Sequence, residues 1–535
     1  MLTPQQTAVV RWAWTAVIFA ALLGLSALLM AKKINFSNAD IGRHLVNGRI
    51  FIESHTIPQT NLYSYTYPDF PTINHHWGSG VIFYLIGHVA GFTGLSAFFA
   101  AMSILTFALF FLAAWRESSF PLAVVSAAIA LPLLSSRTEI RPEAFSYLLT
   151  GLFLLLLLEH RRGTMSLKML LLILIPAELL WVNLHIYFFL GPFLIFIFLL
   201  EEILDSRKKR SIFNFQLSIV NSRPLLLTFA LTSGATILNP AGIRGALEPL
   251  TIFREYGYRL AENQTVWFID GYMDYPLNLY FKIVCLALVG SWMIAIIRAW
   301  QIRKVPSIAF ALLSVTFSVL AWLAIRNFTL FGLVAIPIIA ANLAMADWKR
   351  LVPTTFPLEV IVTPLLAAVM LWGLFTLRPN YWRGQWTVTG LGLRPGALSS
   401  LEFFRREGLR GPLFNNYDIG GYLTYGLYPQ EKVFVDARPE AYPTSFFTDV
   451  LVPMQENEET WKKIDAQYRF NTIFFQRQDL TEWGQRFMIA RVFDPAWAPV
   501  YVDGDTLILI RRDGPNQETI KKHELPQSMF RVRNG

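Results

Sequence analysis

The run "VVRWAWTAVIFAALLGLSALLM" (residues 9–30) gives way, after a short link, to "FSNADIGRHLVNGRIF" (residues 36–51). The first stretch is long enough to cross a hydrocarbon core of roughly 30 Å, which takes about 20 apolar residues, and too long for the core of a cleaved signal peptide. The second places Asp40, Arg43, His44 and Arg49 directly after that crossing. Read as a helix, its step of about 100° per residue sets Asp40, Arg43, His44 and Asn47 on one face and Ile41, Leu45 and Ile52 on another. That pattern predicts an amphipathic helix lying on the membrane, with Ser37 or Asn38 as its cap. Asp40 then has two readings: a helix-start carboxylate where the dipole favours an anion, or a charge kept near hydrocarbon because chemistry needs it.

The remaining chain extends this beginning. Its 535 residues are 54% hydrophobic and 16% charged, a balance outside the soluble globular class that predicts a polytopic membrane protein. The net charge of +9 comes from Lys and Arg gathered in short loops such as "LEHRRGTMSLK" and "RAWQIRKVP", where they orient membrane segments rather than bind nucleic acid. With those loops cytoplasmic, about 11 transmembrane helices are expected, at 10–31, 95–115, 120–135, 143–159, 167–182, 186–203, 222–239, 277–298, 306–325, 328–346 and 358–376. "WGSGVIFYLIGHVAG" (77–91) becomes a juxtamembrane helix ended by Gly91 and Gly94, as glycines commonly end helices. The N-terminus is expected in the cytoplasm of a bacterial-type cell, the chain in its inner membrane, and segments 32–94, 136–142, 183–186, 240–276, 326–328 and everything after 376 on the periplasmic side. The single cysteine, Cys285, lies in an apolar run, which leaves neither a disulfide framework nor a cysteine metal site.

Unusual polar residues concentrate in the external segments. His75 and His76 precede the juxtamembrane helix, "SSRTEIRPEAF" (135–145) carries Arg137, Glu139, Arg141 and Glu143, His185 and Asn183 share a short turn, Arg326 sits in another, and Glu262 lies with Asp270 and Asp274 in a longer loop. Charges this near hydrocarbon are costly, so their gathering on one side reads as a site. Singly each has a plainer reading, since an arginine at a helix end can snorkel and a lone histidine can serve as a hydrogen-bonding group. Together they suit a lipid-phosphate-linked substrate: arginine forks hold phosphate, a carboxylate takes a proton from a hydroxyl, and rings such as Trp77, Trp181 and Trp267 cover sugar faces. "GLGLRPG" (390–396) lacks the spacing of a nucleotide-binding loop, and no clustered zinc pattern occurs. An activated donor is therefore expected to arrive within the membrane.

A first helix, an external loop with an acidic residue near its start, and "HHWGSGVIFYLIGHVAGFTG" (75–94) together resemble the GT-C membrane glycosyltransferases, among them the protein O-mannosyltransferases. "DIGRHLVNGRIFIESHTIPQTNLYSYT" (40–66), "RPEAFSYLL" (141–149), "WVNLHIYFFLG" (181–191), "LNPAGIR" (238–244) and "VFVDARPEAY" (433–442) are similar to a group of bacterial GT-C-like membrane proteins. Asp40-Ile41 stands where the O-mannosyltransferases have an Asp-Glu pair, and His75-His76-Trp77 where they have His-Pro-Pro. The resemblance implies a GT-C fold, a polyprenyl-phosphate-linked sugar donor, and a catalytic base at the first-loop acid, here Asp40. Chemistry then assigns substrate contacts to Arg43, His44, His75, His76, Arg137, Glu139, Arg141, His185, Glu262 and Arg326. Arg137, Arg141 and Arg326 face the leaving phosphate in this reading, and His44 or His76 assists or binds a divalent metal. The acceptor is a hydroxyl on a lipid, glycan or protein.

Past residue 376 the pattern turns to soluble α/β. "ALSSLEFFRREG" reads as a helix closed by Gly408, "KVFVD" and "NTIFFQ" as strands, and "VYVDGDTLILIRR" as a hairpin turning at Asp503-Gly504. The expected organisation is a transmembrane domain over 1–376, an external α/β domain over 377–513 and a disordered polar tail over 514–535. Asp418, Asp436, Arg438 and Glu440 collect near the ends of the expected strands, either as turn chemistry with a structural Asp–Arg pair or as part of an acceptor-recognition surface. Two other classes of function fit the same composition: a lipid or glycolipid transporter or flippase, and a non-catalytic envelope scaffold. Asp40→Asn separates a transferase from both.

Overall fold

The computed structural model describes residues 4–37, 40–207, 223–251, 255–303, 305–346, 348 and 356–530. The alternative cap Asn38 and most of the basic loop 204–224 lie outside the described residues. The chain forms two compact units, one of Met1–Lys32, Ser96–Pro249 and Leu260–Leu391, the other of Lys33–Leu95, Leu250–Arg259 and Gly392–Gly535. The first external loop thus belongs to the same unit as the C-terminal region, a division that composition alone does not reveal.

The first unit is helical. Every expected apolar segment carries a helix, and among the described residues seven helices are long and apolar enough to cross a membrane, eight if the pair Val362–Thr376 and Pro379–Thr387, bent by 95°, is one span. Phe120–Ser136 and Ile308–Leu323 are shorter apolar helices. Phe328–Ala344 is apolar on all sides and buried along nearly its whole length, packed by Phe120–Ala130, Leu277–Ile302 and Ile308–Leu323. A helix without a polar face has to be central, because no side of it suits water. Trp77–Glu117 is broken at Gly91, where φ is 62° and ψ −166°. Only glycine adopts that conformation without strain, and the expected end of the juxtamembrane helix falls there.

The second unit holds a four-stranded mixed sheet: β1 (Leu413–Asn415), β2 (Thr472–Gln476), β3 (Trp497–Val502) and β4 (Thr506–Arg511) in the order β1-β2-β4-β3. β1 runs parallel to β2, and the other neighbours are antiparallel. Every residue of β2 is buried. The β3–β4 hairpin turns where expected, with Asp503 Oδ1 accepting from the Asp505 and Thr506 backbone N–H groups at 2.9 and 2.7 Å. The helix Ser399–Arg406 also forms, followed by Gly408 at φ 62°.

Three expectations for this unit need correcting. "KVFVD" is not a strand, because its backbone groups bond elsewhere. Val433 N donates to the Tyr63 carbonyl at 3.0 Å, Phe434 N to Asn415 Oδ1 at 2.9 Å, and Val435 O accepts from Asn415 Nδ2 at 2.7 Å. The tail is ordered through Phe530: Gln517–His523 is helical and Leu525 N donates to the Pro499 carbonyl at 2.8 Å. Finally, the helix Ile41–Ser54 is not a surface helix with one apolar face, since all residues from Ile41 to Gly48 are buried. Its two glycines explain this. A Cβ on Gly42 would lie 2.5 Å from the Gly421 carbonyl oxygen, and one on Gly48 would lie 2.6 Å from Tyr84 Cβ. Both faces are therefore packed against backbone, one on the helix Gly420–Leu427 and the other on the start of Trp77–Glu117.

Candidate active site

In the first unit the segment between Ser136 and Glu143, the loop at Glu262 and the turn at Arg326 bring together three arginines and their carboxylates. Arg137 Nη1 donates to Glu262 Oε2 at 2.5 Å, and its Nη2 and Nε reach the two oxygens of Glu143 at 3.1 and 2.7 Å. Arg141 contacts Glu262 at 3.2 Å and Glu139 at 2.8 Å. Arg326 donates to Asn263 Oδ1 at 3.0 Å but stands 3.7 Å from Glu262 and 3.9 Å from Glu143. Its buried Nε has no hydrogen-bond partner among the described residues. Burial works against the Glu262 charge, yet Arg137, Arg141 and Arg326 outweigh it and hold the carboxyl well below the usual range. Burial likewise opposes the Arg137 charge, and Glu143 and Glu262 overcome it.

The sequence places Arg137, Glu139, Arg141, Glu262 and Arg326 in this cluster. Glu143, named there only as a helix-entrance residue, turns out to be its most enclosed carboxylate, with a side chain only 5% exposed. A small cavity of about 20 Å³ lies against it, walled by Met30, Phe99, Leu134 and Leu333 on the apolar side and by Arg137, Glu143 and Thr329 on the polar side. A space of that size holds about one water molecule, so an anionic headgroup would reach these arginines only by displacing one of their carboxylates.

The second unit gathers a different set. Asp40 precedes the helix Ile41–Ser54 with helical φ and ψ and makes no side-chain cap bond to it, so the helix-start reading rests on the dipole alone. Its charge also acts on Tyr417. Burial, then Glu440, Asp40, Tyr258 and Asp418, push the Tyr417 phenol far up, and its hydroxyl is buried with no hydrogen-bond partner among the described residues. The Tyr258 ring stacks on it at 4.4 Å. Arg43 is buried and acts on Glu440, whose carboxyl is nonetheless raised by the protein crowding it while one side stays open to solvent. Arg438 grips both oxygens of the fully buried Asp436 at 2.9 and 2.6 Å and Asn61 at 2.7 Å. That pair is structural, whereas Glu440, for which the sequence left both readings open, and Tyr417, which it did not single out, lie with Asp40 in one electrostatic group.

The histidines divide. His44 and His76 meet edge to face with ring centroids 5.6 Å apart. His75 is buried, and that burial lowers its imidazole to about 4, so it is neutral near pH 7. In the first unit His185 Nδ1 accepts from Tyr187 N at 3.3 Å and pairs with Ser146 Oγ at 2.8 Å. Among the described residues no group of three or more His, Cys, Asp or Glu side chains is placed to hold a metal ion. No step of the chemistry is assigned to a metal. The sequence reading also passed over Glu178, a fully buried carboxylate packed against Gly191, whose oxygens have no hydrogen-bond partner among the described residues.

No protein-family model matches the chain, and no curated protein matches it in sequence. Solved structures do match in fold. The archaeal oligosaccharyltransferase AglB from Archaeoglobus fulgidus, in complex with an inhibitory peptide and a dolichol-phosphate, aligns with a TM-score of 0.58 at 11% identity, over 94% of this chain and 75% of that one. The apo form of the Archaeoglobus fulgidus oligosaccharyltransferase gives 0.57 at 13% identity over 94% and 75%. The form tethered to an acceptor peptide containing the NVT sequon gives 0.57 at 12% over 92% and 73%. The chain therefore has the GT-C fold, as its resemblance implied.

Proposed function

We propose that this chain is a GT-C-type membrane glycosyltransferase, moving a sugar from a polyprenyl-phosphate-linked donor to an acceptor hydroxyl on the external side of the membrane. The observation that carries the reading is the arginine–glutamate cluster at the head of apolar walls, in a chain whose fold neighbours include one described with a dolichol-phosphate. Orientation follows from the basic loops, with the N-terminus cytoplasmic and the C-terminal region periplasmic.

In the proposed reaction Asp40 takes the proton of the acceptor hydroxyl as its oxygen bonds to the anomeric carbon. The bond from that carbon to the phosphate oxygen breaks with its electron pair, and polyprenyl phosphate departs with inversion. Arg326, the arginine with spare donor capacity, together with Arg137 and Arg141, steadies the departing phosphate. Because the cluster pairs Arg137, Arg141 and Arg326 against Glu139, Glu143 and Glu262, a phosphate is best received by displacing Glu262. That carboxylate bridges all three arginines and is 27% exposed, against 5% for Glu143.

The test is mass spectrometry of envelope glycans and glycolipids from a deletion strain complemented with wild type or Asp40→Asn. A sugar lost on deletion, restored by wild type and missing with Asp40→Asn supports transfer through Asp40. Restoration by both proteins would favour a transporter or scaffold.

A further inference from the structure

We infer that the second unit carries a binding cleft for an acidic saccharide, built around Arg49 and Arg405 on the side of the helix Ile41–Ser54 turned away from Asp40. On a helical wheel Leu45, Arg49 and Glu53 fall opposite Asp40, Arg43, His44 and Asn47, and they line two adjoining cavities of about 920 and about 450 Å³. Arg49, Arg405, Tyr425 and Gly426 belong to both cavities. Space on this scale takes several sugar rings, whereas the cavity beside Glu143 is of water size.

The chemistry of the walls selects the ligand. Arg405 Nε donates to the Gly426 carbonyl at 2.9 Å, and Arg49 Nη2 to the Tyr428 carbonyl at 3.4 Å. These backbone acceptors fix the orientation of both guanidinium groups without neutralising them, and among the described residues neither forms an ion pair with a carboxylate. Glu431, the nearest acid in sequence to Tyr428, is engaged by the Gly411 N–H at 3.1 Å. Both arginines also act on the half-buried Tyr425 phenol, which burial raises and Arg405 and Arg49 pull back. Two fixed guanidinium forks beside one phenol make a receptor for a carboxylate or phosphate group. Tyr84 and Phe92 supply aromatic faces for sugar rings, and the exposed Glu53 and Glu402 supply acceptors for hydroxyl groups. The aromatic faces and the volume of the cavities suit a saccharide bearing anionic groups.

The site stands independently of the chemistry at Asp40, and its test reads binding rather than turnover. Full-length protein in a neutral detergent is titrated with a tetramer of uronic acids and with a neutral tetramer of the same linkage. The acidic tetramer should bind more tightly, and Arg405→Gln and Arg49→Gln should each weaken it about ten- to a hundred-fold, the loss expected for one charge-assisted contact. Asp40→Asn should bind like wild type even though its transfer is lost. Each variant is judged only with an unchanged unfolding midpoint. If Arg405→Gln does not fold, Arg405→Lys, which keeps the charge but not the fork, takes its place and should still weaken binding. Equal affinity for the two tetramers, wild-type affinity in the arginine variants, or binding only to vesicles of anionic phospholipid would each overturn the assignment.

Discussion

Arg137→Met removes a guanidinium that contacts Glu262 at 2.5 Å and Glu143 at 2.7 and 3.1 Å. Two carboxylates then remain, with Arg141 3.2 Å from Glu262 and Arg326 3.7 Å from Glu262 and 3.9 Å from Glu143. Glu262 keeps one close cation and some solvent, so the loss falls on Glu143, whose side chain is only 5% exposed. Breaking a buried pair by removing one partner costs about 3–5 kcal/mol, because the other charge stays enclosed. The double variant Arg137→Met/Glu143→Leu removes that orphan as well, and apolar groups of similar size in place of a buried pair are often neutral, so its loss should stay below about 2 kcal/mol. The coupling between the two positions is then at least about 1–2 kcal/mol and makes the double variant more stable than Arg137→Met alone. Unfolding of wild type, both single variants and the double variant in one detergent measures it. Additive losses, or an Arg137→Met protein within about 0.5 kcal/mol of wild type, would refute the reasoning.

Three further outcomes follow from the second unit. The His75 imidazole lies near 4 in the fold against 6.5 ordinarily, so the folded state resists protonation. Stability should fall as pH drops through 6.5 and level off below about 4, a loss of about 3 kcal/mol that His75→Phe should largely abolish in unfolding scans across that range. Gly48→Ala gains about 0.5–1 kcal/mol of helix propensity but forces a methyl to within 2.6 Å of Tyr84 Cβ. Overpacking of about 1–3 kcal/mol should win, and a stabilised variant would show that these helices are not in close contact. Tyr417→Phe deletes a buried hydroxyl that has no partner among the described residues. It should leave stability unchanged or raise it by up to about 1 kcal/mol; a loss above about 2 kcal/mol would mean that the hydroxyl has a structural partner.

What could be read from the sequence were features whose cause is local. Gly91 ends the juxtamembrane helix because its φ is 62°, and a glycine after a short amphipathic run announces that. The β3–β4 hairpin rests on Asp503 and its own neighbours. What stayed hidden depends on partners far along the chain. Arg137 and Glu262 are 125 residues apart, so the external arginines read as free phosphate ligands when each already faces a carboxylate. The first helix after the membrane looked half exposed because its apolar stripe covers one side only. Gly42 and Gly48 let distant backbone close over the rest, and glycines carry no hydropathy signal that would reveal it. "VFVD" has strand composition, but the side chain of Asn415 and the residues around Tyr63 take up its hydrogen bonds.

The most direct measurement is transfer by the purified protein in bilayer discs, from a labelled polyprenyl-phosphate sugar to envelope acceptor extract, comparing wild type with Asp40→Asn. Loss of a positioned general base predicts a fall of about 10²–10⁴-fold, with donor binding and unfolding midpoint unchanged. Transfer at the wild-type rate by Asp40→Asn would contradict the account.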